Sequence, residues 1–355
     1  MKTIIVTGGA GFIGSNFIHH IIQNSEYEVV NLDKLSYSGN LENLKTISGN
    51  PKYKFVKGSI CDKELLSSLF SKFQPTAIVH FAAESHVDRS ILSPSEFIET
   101  NILGTFQLLE ESRTYWSGLA EQEKANFKFV HVSTDEVYGS LKNSDTSFTE
   151  NTAYAPNSPY SASKASSDHL VRAYYHTYHL PTLITNCSNN YGPYQFPEKL
   201  IPLCILRALE GQNIPIYGKG ENIRDWLYVE DHCKAIHSVL EKGTGGERYN
   251  IGGNCELTNI DLVKSLCRIL DEELPNSKFN PHAQLITFGK DRPGHDFRYS
   301  IDHEKISQEL GWQPKETIES GLRKTVRWYL NNQDWMRSVA SGDYRNWVVT
   351  HYSGK

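Results

Sequence analysis

Six short apolar runs alternate with amphipathic stretches through the first half of the chain, and the spacing predicts a parallel sheet wound with helices on both sides. The strand candidates are KTIIVTG (2–8), YEVVNLD (27–33), YKFVKGS (53–59), TAIVHFAA (76–83), FKFVHVST (127–134) and TLITNCS (182–188). Helical periodicity falls near 12–23, 63–73, 91–113 and 158–178. The last two carry apolar residues at several angles, among them Ile98, Ile102, Phe106, Leu170 and Tyr178, as helices do when a second face meets another subunit. SGLAEQEKANFK (117–128) reads as a polar surface connection. After Asn190 the pattern breaks into loops that mix proline, glycine and charge. Two domains are therefore expected, residues 1–190 and 191–355, with segments of the second returning to the sheet.

The turn after the first strand, TGGAGFIGSNF (7–17), spaces Gly8, Gly11 and Gly14 as a dinucleotide fingerprint requires. Glycine is needed there because the backbone must turn tightly off the strand and let a pyrophosphate approach the helix N-terminus. The second strand ends at Asp33, where a carboxylate can accept from the adenosine ribose hydroxyls and repel a 2′-phosphate. The expected fold is an α/β, Rossmann-type doubly wound sheet with a smaller C-terminal substrate domain, and the expected cofactor is NAD.

Tyr-x-x-x-Lys occurs three times. Tyr53/Lys57 lies in a strand and Tyr138/Lys142 straddles Gly139, whereas Tyr160/Lys164 opens a helix just after Pro159. At that spacing both side chains share a helical face, and the ammonium can favour a phenolate. The help matters: a tyrosine with an ordinary pKa is only ~0.1% ionised at pH 7, a cost of about 4 kcal/mol.

The fifth strand ends in Ser133-Thr134-Asp135-Glu136. S-x-x-E can be a helix capping box, but Gly139 would interrupt such a helix after one turn. At the carboxyl edge of a central strand the same acids sit where open α/β sheets bind ligands. For both to reach one ligand the strand must break near Thr134, since neighbouring strand residues face opposite ways.

The net charge of −5 gives no basic footprint for nucleic acid. No run approaches eighteen consecutive apolar residues, so no membrane partner is expected. Six scattered cysteines without C-x-x-C suit reduced thiols, and the histidines show no metal-ligand spacing, so no metal is expected. A cytoplasmic location follows as an expectation.

Taken together, TGGAGFIG, HVSTDEVYG and YSASK resemble the extended short-chain dehydrogenase/reductase family. The resemblance runs nearly end to end, through FAAESHVDRS (81–90), NCSNNYGPYQFPEKLIP (186–202), GKGENIRDWLYVEDH (218–232) and KDRPGHDFRYSID (290–302). It implies cofactor contacts at Gly8, Gly11, Phe12, Ile13, Gly14, Asp33, Lys34, Leu35, Ser36, Ser59, Ile60, Ala82, Ala83, Glu84, Thr100, Tyr160, Lys164 and Asn190. Substrate contacts are implied at Ser85, Thr134, Asn189, Lys199, Leu200, Pro215, Ile216, Tyr217, Arg224, Asn259, Asp291, Arg292, Pro293, Gly294 and His295. Arg224 could clamp a phosphate bidentately, or pair with Asp225 or Glu230. One departure stands out: where the family commonly has Asp-Ile after the third strand, this chain has Ser59-Ile60, with Asp62 three residues on.

The resemblance also implies a homodimer through the two long helices and dTDP-glucose as substrate. Its detail points to C4 oxidation, loss of water across C5 and C6, and hydride return to C6. The catalytic residues are then Tyr160 at O4, Lys164 as its electrostatic partner, Thr134 on O4, Glu136 as the C5 base and Asp135 as the O6 acid. A sugar-nucleotide 4-epimerase would not need the acid pair, and a nucleotide-uronate decarboxylase would want a cation in place of Asp135. A non-catalytic NAD-binding protein would not need Tyr160, Lys164, Asp135 and Glu136 together.

Overall fold

The computed structural model describes residues 2–291 and 294–339. The first six strands are β1 (Thr3–Thr7), β2 (Glu28–Asp33), β3 (Tyr53–Lys57), β4 (Ala77–His80), β5 (Lys128–Thr134) and β6 (Thr182–Cys187). They are followed by β7 (Asn189–Tyr191), β8 (Ile214–Tyr217), β9 (Ile223–Tyr228), β10 (Arg248–Ile251), β11 (Glu256–Thr258) and β12 (Ile286–Gly289). Seven of these form one parallel sheet in the order β10-β6-β5-β4-β1-β2-β3. The order reverses direction between β1 and β4, and it is outside the carboxyl ends at such a switch point that open sheets take ligands.

Both faces of the sheet are covered, which is why its strands are apolar almost throughout. One face packs on α1 (Phe12–Asn24), the other on α2 (Lys63–Phe73) and on the long helices that follow. The periodic stretch near 91–113 is not one helix. It divides into α3 (Val87–Leu92), α4 (Pro94–Phe97), a π-helical turn at Ile98–Gly104 and α5 (Thr105–Ser117). Pro94 sets the break, because it opens α4 at the first helical positions and cannot continue α3. The expected surface connection at 117–128 contains a short helix, α6 (Glu121–Asn126), and its last residue already belongs to β5. Next comes α7 (Pro159–Tyr178), capped by Ser158, whose hydroxyl accepts from Ser161 N at 3.0 Å.

A second core forms around α8 (Leu200–Glu210), β8, β9 and α10 (Asn259–Glu273). Between them α9 (Val229–Lys242) goes back to pack on α1, and β10 extends the first sheet beside β6. The carboxyl ends of β1, β4, β5 and β6 thus face segments from the second half of the chain across one crevice.

Candidate active site

One cavity runs along that crevice, from Asp33 past the glycine turn to Thr134, Tyr160 and Lys199. At its near end the chain works mainly with backbone. Gly8 has φ +70°, and a Cβ there would sit 2.6 Å from the backbone of Ala82. At Gly14 an added Cβ would lie 2.4 Å from the Gly8 carbonyl oxygen. Gly11 is the N-cap of α1, so the helix presents unpaired amides to the cavity. Asp33 closes this end: one carboxylate oxygen accepts from Ala10 N at 2.9 Å, the other from Leu35 N at 2.8 Å. Burial holds its pKa up against those bonds and the charge of Lys34. Each carboxylate oxygen can still accept a second bond, which is what a ribose diol offers. Lys34 reaches across the wall to Glu84 at 3.2 Å and Thr100 at 3.3 Å. Ser59 and Ile60 line the same end, whereas Asp62 is committed to α2, accepting from Leu65 N as its N-cap. This donor set fits a dinucleotide.

At the far end β5 stops at Thr134 and the chain turns at once into a single 3₁₀ turn, Asp135–Tyr138. Thr134, not Ser133, caps it: its hydroxyl accepts from Glu136 N at 3.2 Å and donates to Asp135 Oδ1 at 3.3 Å. The turn ends at Gly139, φ +94°, where a Cβ would meet the Ala155 carbonyl oxygen at 2.5 Å. This break gives both acids access to one side of the sheet, and both line the cavity.

Asp135 is buried, and its Oδ2 has no hydrogen-bond partner. Burial first, then the charges of Glu136 and Asp225, push its pKa well above the ordinary carboxylate range, against Arg224 and the Thr134 bond. It is therefore an acid that keeps its proton where free aspartates have lost theirs.

Tyr160 and Lys164 line the cavity from the first turns of α7. The protein surroundings of Tyr160 act on its pKa against ionisation. Burial and the Glu136 charge raise it well above 10, and the Thr134 hydrogen bond is the opposing influence. The Lys164 ammonium is turned into the protein, donating to the Val132 carbonyl at 2.9 Å, and burial lowers its pKa to about 8.

Most of the expected contacts meet in this cavity: Phe12, Ile13, Ser36, Ala82, Ala83, Glu84, Ser85, Asn189, Asn190 and Lys199 line it with the residues above. Asn190 is held by His232, whose Nδ1 lies 2.9 Å from the amide oxygen. Leu35, Leu200, Pro215, Ile216, Tyr217, Arg224, Asn259, Asp291, Gly294 and His295 are not in its lining. Ile216 has its side chain buried in the second core. Arg224 is buried too, donating to the carbonyls of Ile223, Asp296 and Phe297. Arg292 and Pro293 lie outside the described residues.

Glu198, Gln195 and Cys187, which the sequence reading passed over, line the cavity as well. Glu198 is buried against Arg89, Nε to Oε2 3.3 Å, and its place beside Lys199 was the available signal.

Comparison with known proteins places these features in a family. A family model described as GDP-mannose 4,6 dehydratase matches residues 5–325. The dTDP-glucose 4,6-dehydratase of Shigella flexneri is 58% identical over 360 residues, covering 99% of each chain. A crystal structure of dTDP-glucose 4,6-dehydratase from Bacillus anthracis in complex with NAD superposes with a TM-score of 0.84 at 49% identity, covering 96% of this chain and 100% of that one. The enzyme of that name from Streptomyces venezuelae, with NAD and TYD bound, gives 0.86 at 45% identity, covering 95% and 100%.

Proposed function

The chain belongs to the dTDP-glucose 4,6-dehydratase family, and from that premise we propose that it is a hydro-lyase converting dTDP-glucose to dTDP-4-keto-6-deoxyglucose with NAD as resident cofactor. The observation that carries the reading is the acid pair on the turn after β5: a buried, proton-retaining Asp135 next to Glu136. A 4-epimerase moves hydride away from C4 and back, and needs neither group.

Bound NAD supplies the hydride chemistry, oxidising C4 and later reducing C6, and brings the positive ring charge that Tyr160 lacks. Tyr160 takes the O4 proton while the Thr134 hydroxyl holds O4. With a carbonyl at C4, the C5 hydrogen becomes acidic and Glu136 removes it. Asp135 protonates O6, the C6–O6 bond breaks and water leaves. Glu136, whose carboxyl proton exchanges with solvent in the meantime, then protonates C5 as C6 is reduced. Each transfer of this kind is typically worth 10²–10⁴ in rate. The proton count has a consequence. Tyr160 ends each turnover with one proton more and Asp135 with one fewer, so both must be reset before the next, through solvent or by a proton passed from one to the other. Thr134 donates to Asp135 Oδ1 and lines the same cavity as Tyr160, which makes it the residue we assign to such a route.

Incubation with dTDP-glucose in deuterated water, followed by mass spectrometry, tests the reading. Loss of water with one solvent deuteron at C5 is expected; formation of dTDP-galactose overturns it.

The finer features belong to the same proposal. Ile98, Leu103, Phe106 and Tyr178 are exposed on the π-turn, α5 and α7, which supports a homodimer through these helices. No helix among the described residues is long and apolar enough to cross a membrane, and the charge of −5 does not favour nucleic acid, in keeping with a cytoplasmic enzyme of small-molecule substrates. The division at about residue 190 into cofactor and substrate domains, with 229–251 returning to the sheet, is likewise proposed.

A further inference from the structure

Beneath the reacting end lies a buried polar cluster that the reaction scheme does not use. Asp168 is on α7, one turn beyond Lys164, so both side chains face the sheet. Its Oδ1 lies 3.3 Å from His131 Nε2, and the same ring nitrogen lies 3.4 Å from Lys164 Nζ. Its Oδ2 accepts from Tyr154 OH at 2.6 Å and from Asn186 Nδ2 at 3.1 Å. Asn186 Nδ2 also donates to the Thr134 carbonyl at 3.0 Å, at the point where β5 breaks into the catalytic turn. Lys164, His131, Asp168 and Asn186 are all buried.

We propose that Asp168 is a positioning residue for both halves of the reaction: the counter-ion of Lys164 across His131, and the anchor of the Thr134 turn through Asn186. The proposal rests on the dehydratase reading only for what the two halves do. A buried ammonium is unfavourable without a compensating negative charge. The groups that face Lys164 and Asp168 are His131 on β5, His80 on β4, Cys187 on β6, Tyr138 on the turn after β5, Tyr154 before α7 and Arg248 on β10, with Asp135 and Glu136 toward the cavity. Burial holds both histidines down, His131 at about 4, and pushes Tyr154 and Cys187 up, so near neutrality these four are uncharged. Asp168 is held low by His131, Lys164 and Tyr154 against its burial, and so is the anion among them. It raises the Lys164 pKa against desolvation, which otherwise strips the charge. One carboxylate thus keeps the oxidation lysine charged and ties the strand end that carries the elimination acids.

The test is Asp168→Asn, which keeps the shape and removes the charge. Lys164 titration is followed by ¹³Cε NMR of lysine-labelled protein without substrate. An acid shift of at least ~1 pH unit is expected, as for loss of a close opposite charge. The alkaline limb of NADH formation with dTDP-glucose should move the same way. An unmoved lysine titration overturns the counter-ion role. Because that measurement needs no substrate, a wild type idle on dTDP-glucose would sink the dehydratase reading and leave this one standing. If Asp168→Asn does not fold, Lys164→Met/Asp168→Asn decides: a folded double variant supports the charge coupling, and an unfolded one assigns the carboxylate to Tyr154 and Asn186 alone. Asn186→Ala should slow water loss relative to C4 oxidation while leaving the lysine titration in place; equal slowing of both steps overturns the anchor.

Discussion

The near end of the cavity meets its ligand with backbone, the far end with buried side-chain charge. At the glycine turn the constraints are steric: a Cβ at Gly8 or Gly14 would overlap main-chain atoms, and both oxygens of Asp33 accept backbone amides. At the β5 end the constraints are electrostatic: Asp135 keeps an unpartnered oxygen, Tyr160 is raised and Lys164 is lowered to about 8. The first arrangement is stable as it stands. The second gathers groups with displaced pKa values in one cleft, as functional sites do. Substitutions should therefore separate the two ends by what they damage.

The largest effect is expected from Tyr160→Phe. Removing the hydroxyl that accepts the O4 proton should slow C4 oxidation by about 10²–10⁴-fold, read as NADH absorbance in a single turnover. The near end is untouched, so NAD should remain bound after gel filtration. Loss of NAD with activity would mean the two ends are not separable.

Gly8→Ala should do the reverse. The added methyl meets the Ala82 backbone, at a φ of +70° that alanine rarely adopts. A cost of roughly 1–3 kcal/mol in stability is expected, with loss of retained NAD. Added NAD should restore part of the activity, because the acids and Tyr160 remain in place; an unaltered Tm would show that the turn has room the geometry denies.

The same contrast explains what the sequence disclosed. Steric rules are local, so Gly8, Gly11, Gly14 and Asp33 could be read from spacing, and Tyr160/Lys164 could be chosen from three pairs by its place on a helix. The strand break at Thr134 was deducible too, since two adjacent acids reach one ligand only through a turn. Electrostatic environment is set mainly by tertiary packing, and beyond the adjacency of Asp135 and Glu136, which marks one of them as the proton holder, little of it was legible. Nothing near Tyr160 in sequence says that its pKa is raised, or that Lys164 turns toward Val132 and His131. Residues of the second half were hardest, because contact across the crevice depends on how two cores dock. Lys199 lines the cavity while Leu200, next in sequence, does not.

Asp135→Asn carries the smallest effect on stability and the sharpest comparison. Asparagine keeps an oxygen for the Thr134 hydroxyl but cannot ionise, so water loss should slow while C4 oxidation persists. Stability should move the other way. Because burial raises the native pKa of Asp135 above its unfolded value near 3.9, the folded state holds this proton more tightly. The stability that tight binding lends is fully present below pH ~4 and is lost as pH rises toward the native pKa, each unit of elevation being about 1.4 kcal/mol. The variant has no such loss. Its Tm should match the wild type near pH 4 and exceed it by roughly 2 °C or more at pH 8. A flat difference across that range would mean that Asp135 is ionised in the folded state and cannot be the acid at O6. A gain that grows with pH, alongside slowed elimination, would show that the fold itself holds the proton of the far end and loses stability when that proton leaves, a pH dependence that Gly8→Ala at the near end does not share.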